Sequence, residues 1–164
     1  MSNPQTVYRD NGAIGALLDE YERSIAELMP VVKKVSDHDL SVIVDHETKD
    51  EDCRSIQTIL THVVRAGYAY ATYIRNHQGE KLNFVIPNHS DSSKEYIDAL
   101  NSMFLFTIKI FEDYPNINLE ENDTNKKMHV SWGQYYDVEQ LMEHAIVHIL
   151  RHRRQIERFQ LKFA

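Results

Sequence analysis

The sequence predicts an all-α protein, a four-helix bundle with long connecting loops. Three observations carry that prediction. Apolar residues recur with helical period in four separate segments. Capping residues precede three of those segments, and a Pro follows the third. Turn formers are scarce, with five Gly and four Pro in 164 residues, too few for a turn-rich β sandwich.

The first helix is expected from Gly12 to Lys34. Ile14, Leu17, Leu18, Tyr21, Ile25, Leu28 and Val32 lie on one face of it. Pro30 falls late in this segment, where it is expected to kink the helix or end it early. The second helix runs from Ser55, a natural N-cap, to Asn76, with a stripe of Ile56, Ile59, Val63, Ala66, Tyr70, Tyr73 and Ile74. The third runs from Ser93 to Tyr114. Ser92 and Glu95 have capping-box spacing, and Pro115 follows where a helix should stop. The fourth runs from Val138 to Phe163 behind Asp137 and Gln140, again spaced as a capping box.

The connections over 35–54 and 115–136 are long and polar. Long segments without regular structure are uncommon in compact domains and often carry function. The link between the second and third helices holds roughly 14 residues and reaches about 45 Å when extended, against about 33 Å for a 22-residue helix. It is long enough to cross the bundle and leave its two flanking helices parallel. No repeat or linker divides the chain, so residues 1–164 are read as one domain.

Composition excludes several classes. Net charge is −7, against the basic stripe that nucleic-acid binding needs. The one dense basic run is Arg151, Arg153, Arg154 and Arg158. It reads first as a solvated face near a helix C-terminus, where the dipole favours cations, and second as a phosphate site. No apolar run is long enough to span a bilayer, and Met-Ser-Asn-Pro-Gln at the start has no secretory pattern. Cys53 is the only cysteine, so no internal disulfide forms. The expectation is a cytoplasmic protein with neither nucleic acid nor membrane as partner.

The histidines are the informative residues. His144, His148 and His152 stand at successive i, i+4 positions on the fourth helix. With His148 at zero, the stripe of Leu141, Ala145, Ile149, Ile156 and Phe159 covers about +20° to +100°. His152 falls inside the stripe at about +40°, His148 at its margin, and His144 outside it at about −40°. Two His at this spacing can present ring nitrogens to one ion. The Glu that would follow the first His in a zinc protease is absent, since Ile149 holds that place. The third ligand must then come from another helix, and His62, at the margin of the second helix's stripe, is the candidate. Three imidazoles leave a position open for water or substrate, as in catalytic zinc sites, and also suit nickel, iron or copper. A single inward His is ordinarily a core residue satisfied by a hydrogen bond. Three of them, two on adjacent turns and one on a facing helix, are harder to satisfy without a shared partner.

The remaining candidates are weaker. His38, His46, His89 and His129 fall in loops and His77 at a helix end, where solvated surface is the default; His129 lies in the long third loop, from which it could approach an open site. Cys53 reads as an ordinary thiol. Tyr68, Tyr70 and Tyr73 read as core or partner-surface residues before they read as a substrate cluster.

The stretch Ser55-Ile56-Gln57-Thr58-Ile59-Leu60-Thr61-His62, taken with His148-Ile149-Leu150-Arg151-His152-Arg153-Arg154-Gln155-Ile156, resembles the DinB-like superfamily. There a Ser-started second helix carries one His, and the last helix carries His-x-x-x-His followed by x-x-Gln and an aliphatic residue. The resemblance implies up-down-down-up topology, a zinc or nickel ion held by His62, His148 and His152, and often a homodimer. It implies thiol-dependent S-transfer, with a low-molecular-weight thiol as cosubstrate, among the family's activities. Arg151 and Arg154 depart from residues that are often His and small in the family, which touches the substrate and not the ligands.

Two functions follow. The first is a metal-dependent S-transferase or hydrolase acting on a small molecule. Gln155 would be a second-layer or substrate contact, and His144 and His129 candidate proton carriers. The second is a non-catalytic metal-binding or dimerising helical protein, in which the ion ties two helices together. A site open to solvent with three protein ligands separates the first from the second.

Overall fold

In a computed structural model describing residues 7–163, the chain forms five helices and one small hairpin. The N-terminal Met-Ser-Asn-Pro-Gln and the two ends of the 1–164 domain lie outside the described residues. The long helices are α1 (Gly12–Lys33), α3 (Ile56–His77), α4 (Ser93–Asp113) and α5 (Val138–Gln160). A short α2 (Asp37–Leu40) and a 3₁₀ turn over Glu51–Cys53 give structure to the first long loop. The last loop carries β1 (Met128–His129) and β2 (Tyr135–Tyr136), paired antiparallel with Met128 opposite Tyr136.

The caps explain most of the boundaries. Ser55 accepts from the Thr58 N–H while Thr58 returns the bond, and Asp137 and Gln140 do the same at α5. Ser92 instead accepts from Lys94 N–H, so the expected reciprocal bond with Glu95 does not form. Helix α1 does not end at Pro30 but runs on to Lys33. Pro30 is exposed, so water can serve the carbonyl that its missing N–H leaves free.

Burying four apolar stripes at once requires a ring in which each helix touches two others. Helix α1 packs against α4 and α5, and α3 packs against the same two. Leu28, Ile59, Leu100 and Leu141, one from each helix, are fully buried at the centre. Polar bonds pin the helix ends. Thr61 Oγ1 lies 2.6 Å from the Tyr96 hydroxyl, and Arg75 donates to Asp113 at 2.9 Å. Ser93 Oγ donates to Val35 O at 2.6 Å, and Gln160 Nε2 to Val31 O at 2.8 Å. No helix among the described residues is long and apolar enough to cross a membrane.

Gly67 of α3 faces Met103 of α4. A Cβ there would lie 2.3 Å from Met103 Sδ and 2.7 Å from its Cγ. Met103 is fully buried, and the Tyr21 hydroxyl donates to its sulfur at 3.4 Å, so it cannot swing aside freely. Overpacking costs about 1–3 kcal/mol, and the helix preference of Ala over Gly returns about 1 kcal/mol. Gly67→Ala is therefore expected to lower stability by about 1 kcal/mol, which denaturant melts would measure. Equal or greater stability would refute this packing.

Candidate metal centre

The site forms where α3 and α5 face each other and the 3₁₀ turn folds over the start of α3. Capping at Ser55 fixes the phase of α3 and turns His62 toward α5, whose cap at Asp137 fixes the phase of His148 and His152. The Nε2 of His148 lies 2.9 Å from that of His62 and 3.2 Å from that of His152. One ligand atom from each ring falls within 4.8 Å of the others, and no fourth His, Cys, Asp or Glu joins them among the described residues. A tetrahedral ion bound through nitrogen at about 2.0–2.1 Å spaces its ligand atoms about 3.3 Å apart. The three side chains fit such an ion.

Hydrogen bonds at the far side of two rings favour the tautomer that ion needs. His62 Nδ1 lies 3.2 Å from both Asp52 Oδ2 and Arg65 Nη2; the Asp52 carboxylate oxygen, which only accepts and which Arg65 also holds, favours the proton on Nδ1. His152 Nδ1–H donates to Gln155 Oε1 at 3.0 Å. With the proton on Nδ1, the Nε2 lone pair is free to bind. Burial pushes His148 down to about 2 and His152 down to about 4, with the neighbouring imidazoles adding to both shifts. Burial also lowers His62, against the opposing pull of Asp52. The trio is neutral near pH 7. With each ring's proton on Nδ1, three lone pairs converge on one point, an arrangement that a bound cation would satisfy.

The centre is open on one side. His152 is 1% exposed and His148 8%, whereas the His62 side chain keeps 24% of its surface. His62 and His148 line a cavity of about 490 Å³, together with Tyr70, Tyr73, Trp132 and His144. Phe84, Val85 and Ile86, from the link between α3 and α4, complete its wall. Tyr70 stands edge-on to His148 with ring centres 5.7 Å apart.

A protein-family model described as the DinB family matches residues 1–158. The chain belongs to the DinB family. Neither the curated proteins nor the solved structures contain a match to it.

In this DinB protein the other candidates take different places. Gln155 lies against His152, with Cys53 Sγ 3.9 Å from the same amide oxygen. Burial raises the Cys53 thiol, which favours its protonated form. His144 is outside the trio. It stacks on Trp132 at 5.6 Å, with its Nδ1 3.3 Å from the Tyr136 hydroxyl. His129 stacks on Tyr135 in the hairpin and lines neither that cavity nor the trio. His89, expected as solvated surface, is exposed but holds Thr61 through its Nδ1 at 2.9 Å. Tyr70 and Tyr73 line the cavity, while Tyr68 packs on Phe106.

Sequence reasoning missed Asp52 and Trp132. Asp52 sits in a run of acids, Asp50-Glu51-Asp52, whose members are indistinguishable until the 3₁₀ turn is placed. The only signal for Trp132 was that it is the sole tryptophan and lies in a polar loop.

Proposed function

We propose that this DinB protein is a metal-dependent enzyme in which His62, His148 and His152 hold one divalent transition ion, zinc or nickel. Its reaction is thiol S-transfer to a small electrophile, or hydrolysis. The observation that carries this reading is the convergence of three neutral imidazoles, without a fourth His, Cys, Asp or Glu among the described residues, at the wall of an open cavity. A sealed site or a closing fourth ligand would favour an ion that only ties helices together.

When bound, the ion would supply Lewis acidity that lowers the pKa of a thiol or water in its open position. The protein's own groups do the rest. Asp52 and Gln155 keep the ligand protons on Nδ1, and Arg65 holds Asp52 in place. Tyr70, Tyr73 and Trp132 give the cavity an apolar wall that takes the apolar part of a small electrophile. Arg151 lines the same cavity and can steady a developing negative charge.

The same reading includes the up-down-down-up helix order, which the pinning of α3 to α4 at like ends supports. It includes a cytoplasmic homodimer acting on a small molecule. Reconstituted with zinc or nickel, the protein is expected to consume a low-molecular-weight thiol with a model electrophile and to stop when a chelator is added. Indifference across a panel of thiols would remove S-transfer and leave hydrolysis or the non-catalytic role.

A further inference from the structure

The basic run of α5 does not behave as one face. Arg153 turns to α1, where it pairs with Glu27 and with Glu157 of its own helix. Arg151, Arg154 and Arg158 turn the other way and meet Lys162 beyond the helix end. These four line a second cavity of about 470 Å³. Among the described residues none of the four has a carboxylate within ion-pair distance, although other exposed basic residues such as Arg23, Lys94 and Lys109 do. Asp45 is the one acid on the wall, and its carboxylate already accepts the Glu47 and Thr48 N–H groups. In a chain of net charge −7, three arginines and a lysine around one hollow, with Asp45 near Lys162 as the only acid on its wall, are a concentration against the trend.

The position of this hollow matters as much as its charge. His152 and Gln155 form part of its wall, so it abuts the histidine trio at its most buried member, whereas the aromatic cavity meets the trio at His62 and His148. Arg151 lines both cavities. Arg151, Arg154 and Arg158 follow i, i+3, i+7 and span about 10 Å of helix. That length suits a ligand with two or more separated oxyanions better than a single small anion.

We infer that the basic cavity seats a small cosubstrate carrying at least two carboxylate or phosphate groups, held by Arg154, Arg158 and Lys162, with its uncharged end at His152. The centre then has two neighbouring seats, a polyanionic one beside His152 and an apolar one against His62 and His148. This rests on the reading of the trio as a reacting centre, but the anion seat itself needs no metal.

The test is calorimetric titration of the full-length, metal-free protein with tricarballylate, inorganic phosphate and acetate. Tricarballylate is expected to bind once per chain, with an affinity that falls as salt rises, and acetate to bind far more weakly. Arg154→Gln/Arg158→Gln should weaken tricarballylate at least about tenfold, the scale of losing charge-assisted bonds. The charge-matched control Lys94→Gln/Lys109→Gln should leave it within about twofold, because those residues lie outside the cavity. Inorganic phosphate, a single oxyanion, is expected to bind more weakly than tricarballylate. Phosphate binding as tight as that of tricarballylate, no saturable binding of tricarballylate, or equal losses in both double variants would overturn the inference. Because His148→Ala should not affect this binding, failure of the metal reading and failure of the anion seat are separable.

Discussion

Purified His148→Ala protein is expected to hold no stoichiometric metal, whereas the wild-type chain, after reconstitution, holds about one ion. His148 is the middle member of the trio, with its Nε2 2.9 Å and 3.2 Å from the other two. Without it, His62 and His152 remain as two nitrogens with no third ligand among the described residues to close the shell. Loss of an outer partner alone commonly costs 10–100-fold in affinity, so loss of the central ligand should cost more than about 100-fold. Folding should survive. Ala favours helix, and the substitution removes one of three crowded, desolvated imidazoles from the metal-free protein. Metal-free wild type and variant should therefore melt within a few degrees of each other. Added zinc or nickel should raise the midpoint of the wild type only, as binding to the folded state requires. Elemental analysis with thermal melts reads both effects. A variant that keeps one ion per chain would remove His148 from the site.

Asp52→Ala is expected to weaken metal binding by about 10–100-fold without unfolding the protein. The carboxylate touches no ion. It acts through His62, accepting the Nδ1 proton so that Nε2 is left as the ligand atom. Arg65, on the next turn of α3, holds the carboxylate in place. The side chain of Asp52 is 36% exposed, and pairs of that kind contribute at most about 1 kcal/mol to stability. The expected signature is thus a large change in metal affinity with a small change in the metal-free melting curve, and partial recovery in Asp52→Asn, whose amide oxygen can still accept the proton. Competition titration against a chromophoric chelator measures it. Equal affinities for Asp52→Ala and wild type would show that His62 keeps its orientation by packing alone.

Helix periodicity decides how much of this was legible in the sequence. His148 and His152 share one helix, so their angular offset from the apolar stripe follows from the turn angle, and both are buried. His62 could be placed only at a stripe margin, and it keeps part of its surface, as a margin residue should. His144, about 60° outside the stripe by the same count, lies half-buried against Trp132 rather than in the trio. The residues that complete the site escape this reasoning because they come from loops. Asp52 reaches His62 through a 3₁₀ turn, and Trp132 reaches the cavity from between the strands of the hairpin. No period relates either residue to the helices it meets. The split of the basic run was hidden for another reason. Arg153 and Arg154 are neighbours in sequence, but a step of about 100° sends one to Glu27 of α1 and the other into the basic cavity.

X-ray absorption at the metal edge of the reconstituted protein tests the central claim most directly, because it counts ligands by element and distance. The expected shell is three imidazole nitrogens at about 2.0–2.1 Å with at least one further light, exchangeable donor, and a spectrum that changes when a low-molecular-weight thiol is added. A shell containing a sulfur at about 2.3 Å in the absence of added thiol, or one with fewer than three imidazoles, would contradict the three-histidine open centre.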